Sequence, residues 1–167
     1  MRSLLLALLL IPFISAHAGD ALPPVDKVDT EFVRKAALCG LAEVQAAELA
    51  LKRGLSPEER KFAQQMVDDH SKVNKELTAL AEKKGIAVPK ALDKDTQAKV
   101  DKLGKVEEKE FAEEYMECQV KEHKQAVDLF EDQSKNGKDP ELKAFAASHL
   151  PHLKSHLDVA KQLEAKH

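Results

Sequence analysis

Glu43, His70, Glu122 with its neighbour His123, and His156 are carboxylates and imidazoles set on or beside the apolar stripes of four helical patterns. A buried ionisable group is costly unless it is paired, hydrogen-bonded or bound to a metal. Each of these residues falls near the middle of its pattern, so antiparallel packing brings them to one level. The spacing therefore predicts an internal polar site. Imidazole-rich sets suit zinc or copper, and suit iron or manganese when carboxylates join them. The bland reading stands beside this one. Glu43 could accept a hydrogen bond from His70 or His123 and Tyr115 could donate to a carboxylate, giving a closed polar network with no metal. His149, His152 and His156 follow one another at spacings of three and four, on one helix face. They could hold a transition metal in transit, or be solvated histidines at a rim.

Four long helical patterns must position these groups. The first is predicted over residues 30–53, where at roughly 100° per residue Phe32, Ala36, Cys39, Glu43, Ala46 and Ala50 share a face. The second opens on Ser56-Pro57-Glu58-Glu59, a capping box with proline at the first helical position, and carries Phe62, Met66, His70, Val73, Leu77 and Leu80 inward before Gly85. Residues 86–107 form a long connector with Pro89 and one short amphipathic stretch over 92–103. The third helix is predicted over 107–134 with Phe111, Tyr115, Cys118, Glu122, Ala126 and Leu129 on its stripe. By phase alone Glu122 lies nearer the stripe's centre than His123. Asn136-Gly137 signals a turn. Asp139 and Pro140 then start the fourth helix, which continues to about Ala165 and is expected to kink at Pro151 or break near Ala147. The set predicts an all-α fold, a four-helix bundle with a long connector between the second and third helices.

The rest of the chain bounds the function. Arg2, an apolar run from Leu4 to Ile14 and Ala16-His17-Ala18 read as a signal peptide over residues 1–18, with a loosely held lead-in over 19–29 and the bundle over 30–167. Gly19, not cysteine, stands directly after that cleavage site. The expected location is therefore periplasmic, with no transmembrane segment after cleavage. Removing Arg2 leaves 25 basic against 29 acidic residues, interspersed along the helices rather than gathered in a basic stripe, which excludes a nucleic-acid binder. The partner and oligomeric state are not specified by anything in the composition. Two cysteines in an exported chain raise the possibility of a disulfide. If the first and third helices run parallel, Cys39 and Cys118 can bridge. If the connector crosses the bundle, they lie about 13 Å apart along the axis, beyond disulfide reach.

Several short motifs, taken in order, resemble a known family. They are Phe32-Val33-x-x-Ala36 with Gly40-Leu41-Ala42-Glu43, then Phe62-Ala63-x-x-Met66-Val67-x-Asp69-His70 with Asn74-x-x-Leu77. Tyr115 with Gln119-Val120-x-x-His123 follows, and then Leu150-Pro151-x-Leu153-x-x-His156-Leu157. Together they resemble the bacterial family called domain of unknown function 4142, which carries an outer-membrane-protein label and a ferritin-like helical bundle. The resemblance implies Glu43, Asp69, His70, Tyr115, His123 and His156 as the polar positions, and so favours His123 over Glu122. It also favours the crossover, and with it two buried free thiols; neither cysteine belongs to the motifs. The metal-ligand set expected on these grounds is Glu43, His70, His123 and His156, with Asp69, Tyr115, Glu122, His149 and His152 behind them. A diiron site needs paired Glu-x-x-His motifs, which the chain lacks, so a ferritin-type redox enzyme is disfavoured. The leading expectation is a non-enzymatic transition-metal binder (zinc, copper or iron) in envelope stress or metal handling. The alternative is a structural or envelope-interaction module with a metal-free polar core.

Overall fold

The computed structural model describes residues 25–167, so the expected signal peptide and most of the lead-in lie outside it. The described residues are all-helical, with no strand: α1 Lys27–Ala50, α2 Pro57–Lys83, α3 Lys94–Gly104, α4 Glu108–Asn136 and α5 Pro140–Glu164. None of these helices is long and apolar enough to cross a membrane.

The helix starts follow from capping. The Ser56–Glu59 capping box forms in both directions, and Asp139 accepts from the backbone N–H groups of Glu141 and Leu142. At the far end of α2, Gly85 takes φ 68°, and the bonds Ile86 N–H to Ala81 O and Gly85 N–H to Glu82 O close the helix. Three expectations need correction. Asp26 caps α1 through Val28 N–H, so the helix starts at Lys27 rather than at residue 30. The short amphipathic stretch in the connector is a helix of its own, α3, capped by Asp93 on Thr96 N–H. And α5 runs through Pro151 without a break. Pro151 and Ala147 both lie on the exposed face, where water can take the carbonyl that proline leaves without a donor.

Long-range contacts fix the directions. At one end Asp29 accepts from the Gln133 side chain (2.7 Å), Asp139 N–H (2.8 Å) and Lys138 N–H (3.0 Å), and Lys84 Nζ binds Asp139 (2.7 Å) and Glu141 (2.6 Å). At the other end Arg53 reaches Glu108 and the Val106 carbonyl, and His167 reaches Glu59. So α1 and α4 run antiparallel, α2 and α4 run parallel, and α3 carries the chain back along the length of the molecule. Helices α1 with α2 and α4 with α5 form the two tightest pairs.

The apolar core falls into two parts. One contains Phe62, Met66, Phe111, Tyr115, Met116, Leu157 and Leu163; the other contains Phe32, Val33, Leu77, Phe130, Leu142, Phe145 and Leu153. On each long helix one buried ionisable residue stands between the two parts: Glu43 on α1, His70 on α2, His123 on α4 and His156 on α5. The polar level is thus a layer that divides the core.

A buried three-histidine centre

His70, His123 and His156 come together from three helices, and a ring nitrogen from each lies within 4.8 Å of those of the other two. The ring centroids form a near-equilateral triangle, 5.5 Å between His70 and His123 and 5.6 Å for each of the other two pairs. An ion bound in the ring plane at a metal–nitrogen distance of about 2.0–2.1 Å stands about 3.2 Å from a ring centroid. Three imidazoles around one such ion then have centroids roughly 5.2 Å apart for tetrahedral angles and roughly 5.6 Å for a trigonal plane. The observed centroid spacing lies close to the trigonal value.

Hydrogen bonding sets which nitrogen His123 and His156 offer. His123 Nδ1 lies 2.9 Å from the Gln119 carbonyl, which can only accept, so Nδ1 carries the proton and the Nε2 lone pair is free. His156 Nε2 lies 3.0 Å from Asp69 Oδ2, so it donates there and leaves Nδ1 free. His123 Nε2, His156 Nδ1 and His70 Nε2 are all buried with no hydrogen-bond partner in the protein. An oxygen acceptor behind a histidine, turning its other nitrogen to a common point, is how metal-binding imidazoles are held. Burial also keeps the rings neutral. It lowers the His70 pKa to about 3, helped by the other two imidazoles, and lowers His123 to about 4 against the opposing pull of the Gln119 carbonyl and Glu122. Burial lowers His156 too, and Asp69 opposes that shift. All three rings are therefore unprotonated, as ligands must be, at neutral pH.

The remaining expected ligands sit elsewhere. Glu43 is 3 % exposed, with its Oε1 3.6 Å from His123 Nδ1, on the far side of that ring from the free Nε2. It is not one of the three residues whose ligand atoms come together within 4.8 Å. Burial, added to by the charge of Glu122, raises its pKa to about 8, although the Gln119 side chain works the other way. Glu122 itself turns out to Lys99 on α3, at 3.3 Å. Tyr115 is fully buried in the core, its hydroxyl without a partner. His149 is half-buried with Nε2 3.1 Å from Glu76, and His152 is exposed. The closed network of the bland reading is not made, since neither Glu43 oxygen nor the Tyr115 hydroxyl has a hydrogen-bond partner in the protein. Sequence reasoning gave no role to Gln119, whose carbonyl orients His123. Its presence beside the motif histidine, four residues earlier, was the available signal.

Cys39 and Cys118 are free and half-buried rather than fully buried. The Asp29–Gln133 contact places Glu43 opposite Gln119, one turn from His123. The axial offset of the two cysteines is then about 7 Å rather than 13 Å. Both line a cleft of about 440 Å³ between α1, α3 and α4, and burial raises both thiol pKa values, Cys118 to about 11. Neither is a reactive thiolate at neutral pH.

The model of the domain of unknown function DUF4142 matches residues 15–163. The chain belongs to that family. No curated protein matches the sequence. Among solved structures, a DUF305 fragment from Deinococcus radiodurans superposes with a TM-score of 0.75 at 13% identity, covering 87% of this chain and 100% of that one. CopM superposes in its Cu(I)-bound and Cu(II)-bound forms, each with a TM-score of 0.69, at 18% and 19% identity, covering 83% of this chain and 96% of CopM. At these identities the likeness shows the fold.

Proposed function

We propose that this DUF4142 protein is an exported, non-enzymatic metal-binding protein. In this reading it holds one transition-metal ion through His70, His123 and His156. Glu43 and Asp69 act as the carboxylates behind His123 and His156, and the architecture is a ferritin-like four-helix bundle with α3 as its crossover. One observation carries the reading: three neutral, buried imidazoles from three helices bring ring nitrogens within 4.8 Å of one another, and each ring has a buried nitrogen with no partner in the protein. An unsatisfied buried polar atom costs about 1–3 kcal/mol, and an ion would satisfy all three nitrogens at once. The donor set is all nitrogen, which suits copper and zinc and disfavours magnesium, calcium or a carboxylate-rich diiron pair. Copper stands first, because it heads the affinity order for such ligands and because CopM, of the same fold, has been solved with copper in both oxidation states.

The test is a titration of chelator-treated, untagged protein lacking residues 1–18 with Cu(I), Cu(II) and Zn(II) against competing chelators. One equivalent should bind and raise the melting temperature, and His123→Ala and His70→Ala should each abolish both effects. At a free metal concentration 100 times Kd the expected stabilisation is about 2.7 kcal/mol. Equal binding by wild type and both variants, or no binding by wild type, refutes the proposal.

A further inference from the structure

We propose that ions enter and leave the three-histidine centre through the cleft between α2 and α5, by way of a transient outer site formed by His149 and His152. This rests on the reading that the centre binds metal, and adds where and how the ion is exchanged.

Two clefts approach the polar layer, and they differ in what they reach. The larger, about 440 Å³ between α1, α3 and α4, touches Glu43 and Gln119 but none of the three histidines. It stops behind His123. The smaller, about 110 Å³, is lined at its inner end by buried His70 and His156 and at its outer end by exposed His152 and Lys72, with half-buried His149 between. It is a passage from solvent to two of the three rings, wide enough for an ion and a few waters. Toward the core the centre is backed by side chains such as Phe62, whose ring centroid is 6.4 Å from that of His123.

The chemistry of the walls suits an ion that exchanges ligands one at a time. An ion leaving water for a buried site must replace each water before losing the next, because a bare charge in the core is prohibitively costly. His149, His152 and His156 share one face of α5, and exposure falls from His152 through half-buried His149 to buried His156, so imidazoles stand at successive depths. His149 Nε2 is held by Glu76 at 3.1 Å; that oxygen accepts, so Nδ1 is left with its lone pair. Asp69 places negative charge on the wall and Glu76 adds its charge behind His149, against the positive charge of Lys72 at the mouth. His149 and His152 do not form a group of three preorganised donors with any neighbour, since among the described residues His70, His123 and His156 alone do so. They are therefore suited to brief capture and handing on rather than to retention.

A kinetic experiment separates route from ligand. Co(II), whose visible spectrum reports its coordination, is mixed with the chelator-treated protein in a stopped-flow instrument, and its removal by excess chelator is timed in the same way. In the His149→Ala/His152→Ala double variant, and to a smaller degree in His152→Ala alone, loading should slow at least tenfold. Release should slow by the same factor, so that the equilibrium affinity, the final spectrum and the metal-free melting temperature stay as in wild type. His152 is exposed, so the single variant keeps its fold. Unchanged rates in both variants overturn the route. A loss of affinity or an altered final spectrum also overturns it, by making the outer histidines ligands of the bound ion. No uptake of Co(II), copper or zinc by wild type defeats the underlying metal reading instead, and so is told apart from failure of the route.

Discussion

Glu43 makes a quantitative prediction, because its burial has a cost that varies with pH in a way its packing does not. The carboxyl is almost fully buried, neither oxygen has a hydrogen-bond partner in the protein, and its pKa is raised from 4.5 to about 8. In the unfolded chain it ionises above about pH 4.5; in the folded metal-free protein it holds its proton until about pH 8. The folded state thus binds more protons across this window, and stability falls as pH rises through it. The slope is about 1.4 kcal/mol per pH unit. Glu43→Gln preserves size and hydrogen-bonding capacity but removes the titration. Whatever the substitution does to packing is constant with pH. The difference in stability, variant minus wild type, should therefore be flat below about pH 4.5 and climb above it, gaining on the order of 4 kcal/mol in favour of glutamine by pH 8.

The assay is chemical denaturation of both proteins, treated with chelator, at half-unit steps from pH 4.5 to 8.5. The same series with saturating zinc supplies an internal check. A cation on His123 Nε2 lies across the ring from the Glu43 oxygen 3.6 Å from Nδ1, so it favours the ionised carboxylate and should flatten the difference. Parallel curves for the two metal-free proteins would refute the argument, because they would mean that Glu43 ionises in the folded state as readily as in water.

The histidines give the opposite sign. Burial lowers His70 to about 3 and His123 to about 4, so metal-free stability is complete above about pH 6.5 and is lost as pH falls toward 4, at about 1.4 kcal/mol per unit for each ring. His70→Gln should remove one share of that slope in urea melts between pH 7 and 4.5; an unchanged slope would count against a buried neutral His70. Asp29→Ala strips the acceptor from the Gln133 side chain and from the backbone N–H groups of Lys138 and Asp139. It should cost about 3 kcal/mol in thermal or urea unfolding, and a loss below about 1 kcal/mol would show that water serves these donors equally well. Gly40 admits α2 so closely that a Cβ there would collide with the Asn74 side chain. Gly40→Ala should therefore gain less than the roughly 1 kcal/mol that alanine adds over glycine in a helix interior, and should gain more in an Asn74→Ala background; additive effects would deny the clash.

Much of this architecture is legible locally. Ser56-Pro57 with Glu59 and Asp139 with Pro140 state where α2 and α5 start, because a cap is chosen by residues within one turn of it. Helical phase sets His70 on the apolar stripe of its helix, while it leaves His156 at the edge of its own beside Phe145 and Leu163. The phase of α4 was less decisive: Glu122 and His123 straddle the stripe, and the packed helix turns His123 inward and Glu122 toward Lys99 of α3. The register of Glu43 against α4 was not legible. Its height against α4 is set by Asp29 meeting Gln133, 104 positions away, and by Arg53 meeting Glu108. Those contacts place Glu43 opposite Gln119 rather than opposite His123. One turn of register turns a carboxylate from a ligand of the centre into a partner behind one of its rings.

That displacement bears on what the centre can do. Had Glu43 joined the three imidazoles, the site would carry a negative charge of its own and would suit iron or manganese as well as zinc. With Glu43 behind His123 and Asp69 behind His156, the donor set is neutral, while the two carboxylates stand one ring away. They can compensate a bound cation and make the imidazoles they face stronger donors without occupying a coordination position. A neutral all-nitrogen pocket of this kind would bind Cu(I) without the repulsion that a buried imidazolium imposes, and would bind Cu(II) or Zn(II) more tightly once the rear carboxylate ionises. The extra charge of the divalent ion is met by Glu43, which should therefore matter more for Zn(II) than for Cu(I). In Glu43→Gln the affinity for Zn(II) should fall about tenfold or more, within the 10- to 100-fold range typical of such rear partners, while the affinity for Cu(I) changes by a smaller factor. Competition against chelators of known affinity measures both. An equal loss for the two ions would mean that Glu43 acts by orienting the ring and not through its charge.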